Sequence, residues 1–116
     1  MNLQGLLEEL RRLEAAHVAD YFNVAIQKEL DIVREKLADL HLEMISKMFG
    51  VSLDRHGHHA SFDRDGYTIQ VYLPDLSTIA VIYRRKWRKY ESLETLADLV
   101  KSSIPMAAIF DMGEAI

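Results

Sequence analysis

Apolar residues in the first fifty positions recur at helical spacing. Leu3, Leu6, Leu10 and Leu13 stand three or four residues apart, and Ile26, Leu30, Val33, Leu37, Leu40 and Met44 repeat the alternation with charged residues between them. Such spacing gathers the apolar side chains on one stripe of an α-helix. No proline occurs from Leu3 to Met48, and Gly5 is the only glycine there. Asn2 is placed to cap the start of the helix and Gly50 to end it. The two stripes are out of phase. Thirteen residues separate Leu13 from Ile26, where an unbroken heptad pattern needs a multiple of seven. Between them, His17 to Asn23 widens the apolar face through Val18 and Phe22. Without a breaker, the expectation is one helix that runs on with a local change in winding. The alternative is a helical hairpin in which Asp20 caps a second helix after a tight turn.

Beyond Gly50 the period changes. Val51-Ser52-Leu53 alternates briefly and leads into the polar segment Asp54 to His59, read here as a solvated loop. Ala60-Ser61-Phe62 is expected to form a strand entering the turn Asp63-Arg64-Asp65-Gly66, whose Asp-Gly ending suits a hairpin. Tyr67, Ile69, Val71 and Leu73 alternate with polar or amphipathic residues, predicting a strand with one buried face. Ile79 to Tyr83 is apolar without alternation, which predicts a central strand covered on both sides. Ser92 is placed to cap a helix carrying Leu93, Leu96, Ala97 and Val100, which Pro105 ends. The tail from Met106 to Ile116 has room for a further helical turn or two.

These elements predict an α+β fold: a long N-terminal amphipathic helix (or helical hairpin), a three- to four-stranded antiparallel sheet and a C-terminal helix. The expected organisation is one domain over 1–116, with a helical arm at 1–49, the sheet at 50–90, and the last helix and tail at 91–116. Several unrelated small families share this order, so the order alone selects none.

Dimensions then imply a partner. An unbroken helix of about 45 residues spans about 68 Å at 1.5 Å per residue, whereas a strand of about seven residues spans only about 23 Å. The sheet would leave much of the stripe in water, so Leu6, Leu10, Leu13, Ile26, Leu30, Val33, Leu37, Leu40 and Met44 are expected to form an oligomer seam. A homodimer is the favoured assembly.

Composition sharpens this picture little. Apolar residues make up 49% and charged residues 28% of the chain, which fits a folded protein and not a disordered one. The absence of cysteine removes disulfides, thiolate metal sites and cysteine nucleophiles together, and fits a reducing, cytoplasmic setting. Acidic residues precede any basic one at the start, unlike a secretory signal, and no apolar run is long enough to span a membrane. The net charge of −4 is mild. Its distribution is not, because five of the eight basic residues after position 49 fall between Arg84 and Lys89.

Two segments carry candidate chemistry. His56 and His58, two apart and so on one side of a strand, could with His59, Asp54 and Asp63 supply nitrogen and oxygen ligands to a metal such as zinc; a solvated loop is the simpler reading. Arg84, Arg85, Lys86, Trp87, Arg88 and Lys89, followed by Tyr90, combine cations with aromatic rings, as contacts to nucleic acid or to an acidic protein partner do; a solvated or structural charged segment is the simpler reading. His17 and His41 are expected to flank the helical core. The chain has no glycine-rich phosphate loop, no H-E-x-x-H and no G-x-S-x-G. The expected function is therefore a non-enzymatic interaction, adaptor or regulatory module without cofactor, assembled through its helical arm. Nucleic-acid binding through 84–90 and metal binding through 56–59 are the alternatives.

Overall fold

A computed structural model describes residues 2–115; Met1 and Ile116 lie outside the described residues. The first fifty residues do not form one rod. Helix α1 (Leu3–Ala19) and helix α2 (Val24–Phe49) are joined by a turn over residues 20–23 and fold back on each other. The 47 Å length of the whole molecule is shorter than the rod expected from sequence.

The reason is the phase slip. At about 100° per residue, a straight helix would place Leu13 and Ile26 about 140° apart around its axis, and the two stripes would face nearly opposite directions. Breaking the helix lets them face each other. Measured from the Tyr21–Phe22 peptide, Leu13, Leu10 and Leu6 lie as far upstream as Leu30, Val33 and Leu37 lie downstream. These six residues are buried together, with Leu3, Leu7 and Ile26 packed at their margin. The turn needs no glycine because polar side chains close it. Asn23, not Asp20, caps α2 by accepting from the N–H groups of Ala25 and Ile26, and Asn23 Nδ2 donates to Asp20. Asp20 ends α1, its N–H donating to the Ala16 carbonyl. Asn2 and Gly50 cap as expected; Gly50 sits at φ +65°.

Five strands follow as an antiparallel meander, β1 (Asp54–His56), β2 (His59–Arg64), β3 (Tyr67–Tyr72), β4 (Ile79–Tyr83) and β5 (Lys86–Lys89). They are followed by α3 (Leu93–Lys101), α4 (Met106–Met112) and a two-residue strand, β6 (Glu114–Ala115), beside β5. The class is α+β, with more strands than expected. The extra strands, β1 and β5, come from polar segments that present no alternating apolar face. Asp65-Gly66 makes the β2–β3 turn as expected, both residues at positive φ.

Register defines two faces of the sheet. Phe62, Ile69, Val81 and Arg88 form one inward row, and Ala60, Val71 and Ile79 another. They pack with Ala38, Ile45 and Phe49 of α2, with Leu93 and Leu96 of α3, and with Met106, Ile109 and Phe110 of α4. The opposite face is open to solvent, carrying Asp63, Thr68, Ile82 and Trp87 in one row and Ser61, Gln70, Ala80 and Lys89 in the next. The two-sided cover expected for β4 is thus absent: Ala80 is buried as a small residue between larger neighbours, and Ile82 is partly exposed. Helix α2 therefore serves two cores. Its first half closes the hairpin with α1, and its second half roofs the sheet. Between them, buried His41 bonds through Nδ1 to the Leu73 carbonyl.

Tyr90 lies in the sheet core, and among the described residues its hydroxyl has no hydrogen-bond partner. Burial raises the phenol above its ordinary 10.0, while the Gly113 N–H pulls the other way without reaching bonding geometry. A raised folded-state value favours folding fully at pH below the unfolded value, and that contribution is lost as pH rises through the folded one. Tyr90→Phe is therefore expected to leave stability at pH 7 unchanged or higher by up to about 1 kcal/mol. It should also shift alkaline unfolding to higher pH, as read by denaturant titration across pH 8–12.

Candidate functional site

Three surfaces bear on function, and the expected seam is not among them. Leu6, Leu10, Leu13, Leu30, Val33 and Leu37 are buried inside the chain's own hairpin and Ile26 packs at its edge, so they offer nothing to a second copy in this fold. Met44 packs against the sheet core, and Leu40 is exposed outside both clusters. The length argument for assembly falls with the rod, because the hairpin shelters its own stripe.

Ile32 and Leu40 are exposed singly along α2, and the hairpin leaves a contiguous apolar group uncovered at its tip. Val18 is 82% exposed, Phe22 87%, Tyr21 61% and Val24 58%. The rings of Tyr21 and Phe22 meet edge to face at 5.4 Å, and His17 lies 4.7 Å from Tyr21. Sequence reasoning noted Val18 and Phe22 only as a widening of the stripe. Their place at the bend between two mirrored stripes is what turns them outward.

The histidine segment forms the β1–β2 hairpin. His56 and His59 are direct cross-strand partners, and His56 Nε2 stands 3.1 Å from Asp54 Oδ2. His58, in the turn after Gly57, instead reaches α2, its Nε2 lying 3.4 Å from Glu35 Oε2. The expected His56–His58 pairing on one face is therefore corrected: the turn divides the three histidines. Among the described residues, no three His, Asp or Glu side chains are arranged to hold a metal ion. What this corner does hold is a clamp. Arg55 donates to Asp39 at 2.6 Å and to Glu35 at 2.7 Å, and its Nε donates to the Gly57 carbonyl. The bond it donates to Asp39 raises Arg55 above its ordinary value, with burial opposing. Chemically this ties the first sheet hairpin to α2.

The basic segment is divided too. Arg84 and Arg85 form the β4–β5 turn, and Trp87 and Lys89 share the open face of the sheet. Lys86 and Arg88 fall on the other side, Arg88 lying 5.0 Å over the Phe110 ring. Tyr90, expected beside Trp87 as a stacking ring, is buried and unavailable. A cavity of about 640 Å³ beside it is lined by Lys89, Tyr90, Glu91, Thr95, Leu99, Met112 and Gly113.

Fold and surfaces together define an α+β protein in which a helical hairpin extends from an antiparallel meander open on one face. Comparison with protein-family models, curated proteins and solved structures finds no match. Among the described residues no helix is long and apolar enough to cross a membrane.

Proposed function

We infer that this chain is a non-enzymatic interaction module that presents the tip of its helical hairpin to a protein partner, a second copy of the chain being the simplest one. The observation that carries this reading is the exposure of Val18, Tyr21, Phe22 and Val24 at the tip. A large apolar side chain left in water forgoes roughly 1.5–3 kcal/mol of burial, and contiguous exposed apolar groups mark contact surfaces more often than scattered ones do. A two-fold meeting of tips would cover the same residues on both copies. The patch is small beside the ~800 Å² per partner of a stable interface, so the dimer is weak and forms in the micromolar range. A chain without cysteine is in keeping with a reducing, cytoplasmic setting.

Sedimentation velocity over a concentration series tests this. The wild type is expected to gain mass between about 10 µM and 500 µM, consistent with weak association. A Val18→Asp/Phe22→Asp variant is expected to remain a monomer, with stability within about 0.5 kcal/mol of wild type because both residues are exposed. A wild-type monomer throughout, matched by the variant, would remove self-association from the account.

A further inference from the structure

The β4–β5 hairpin concentrates positive charge: Arg84, Arg85, Lys86, Arg88 and Lys89 fall within six residues. Arg84 and Arg85 occupy a two-residue turn at φ +49° and +66°. A turn with both residues in the left-handed region is filled at least cost by Asn-Gly, and a side chain bearing Cβ is disfavoured there. Two arginines stand in it instead. Arg84 lies 5.0 Å over the Tyr83 ring. Among the described residues, none of Arg84, Arg85, Lys86, Arg88 and Lys89 forms a salt bridge. Among the described residues, strand β6 pairs with Arg88 and Lys89 only, and Lys86 and Trp87 lie towards the turn end of β5. Trp87 is 40% exposed on the open face, opposite Ile82 and two residues from Lys89.

We propose that the turn end of the β4–β5 hairpin binds single-stranded nucleic acid, with phosphates held by Arg84, Arg85, Lys86 and Lys89 and one base stacked on Trp87. Unpaired cations at a turn recognise any polyanion; the exposed indole among them selects one that carries flat rings. A duplex keeps its bases stacked internally and offers Trp87 none. Backbone conformation that works against the turn, at residues whose charged ends point to solvent, is the pattern expected where side-chain chemistry outweighs local fit. This site is separate from the hairpin tip and does not depend on it.

Trp87 is the only tryptophan in the chain, so its emission reports on the site directly. A labelled oligothymidylate is titrated by anisotropy, with Trp87 emission followed in parallel, from 20 to 200 mM salt. The expected result is quenching of Trp87 and a log–log salt slope of about −3, from four phosphate contacts at about −0.7 each. Arg84→Asn/Arg85→Gly is expected to halve that slope while raising the melting temperature, a combination that a purely structural role for the arginines would not give. Trp87→Ala is expected to weaken binding roughly five- to a hundredfold with little change in slope. The proposal is overturned by the absence of salt-sensitive binding or by unchanged affinity in the double variant. Equal quenching by poly-glutamate would assign this site to an acidic protein, and equal binding of duplex would remove the stacking role.

Discussion

Leu13→Ala is expected to cost about 2–5 kcal/mol, the range for truncating a fully buried leucine, and to do so in one half of the molecule. Leu13 is 1% exposed and belongs to the cluster that α1 and α2 share, which is distinct from the core beneath the sheet. Of the elements, α1 packs against α2. Loss of the leucine therefore loosens α1 without removing anything that touches a strand. Hydrogen exchange read residue by residue should show protection falling over residues 3–19 and the first half of α2, while Ile69, Val71 and Val81 keep theirs. Uniform loss across the sheet would show that the two clusters form one cooperative unit.

The second large effect lies on α2, two turns beyond Leu37. Ile45 is completely buried in the sheet core, beside Phe49 and facing the inward rows of β2 to β4. Ile45→Ala should cost a similar ~2–5 kcal/mol, but as global destabilisation. Urea unfolding followed by Trp87 fluorescence should show a lower midpoint with an unchanged slope, and exchange should rise in the strands. Two truncations of similar chemistry, one in each of the clusters that α2 joins, are thus expected to give different maps. A matching pair of maps would contradict the division of α2 between two cores.

Much of this architecture is legible in the sequence, and the failures have physical causes. The caps at Asn2, Gly50 and Ser92 and the turn at Asp65-Gly66 are local chemistry, fixed by donors, acceptors and permitted φ, and the structure has them where they are expected. The strand at 67–72 shows itself because one face is buried. Strands β1 and β5 escape notice because edge positions leave polar residues on both faces, so Asp54-Arg55-His56 and Lys86-Trp87-Arg88-Lys89 carry no period. The helix break escapes a search for breakers because polar side chains close the turn instead. Its signal was nevertheless present. The spacing four-three in Leu6, Leu10, Leu13 is mirrored as three-four in Leu30, Val33, Leu37, the arrangement two antiparallel helices need to meet residue for residue. A rod has no use for that symmetry. Of the candidate surfaces, the charges at 84–89 were visible in the chain, but their division between the two faces of a sheet depends on a register that no local pattern sets. The tip emerged only when the bend was placed.

Everything proposed for the arm depends on that bend. Because the chain has no cysteine, Glu8→Cys/Lys36→Cys introduces two exposed labelling sites and nothing else reactive. Dipolar coupling between nitroxides at these sites, in protein diluted with unlabelled chain, measures how the helices lie. The closed hairpin predicts a separation within about 20 Å, the helix axes being about 8–10 Å apart; a separation near the ~42 Å of an unbroken helix would contradict it.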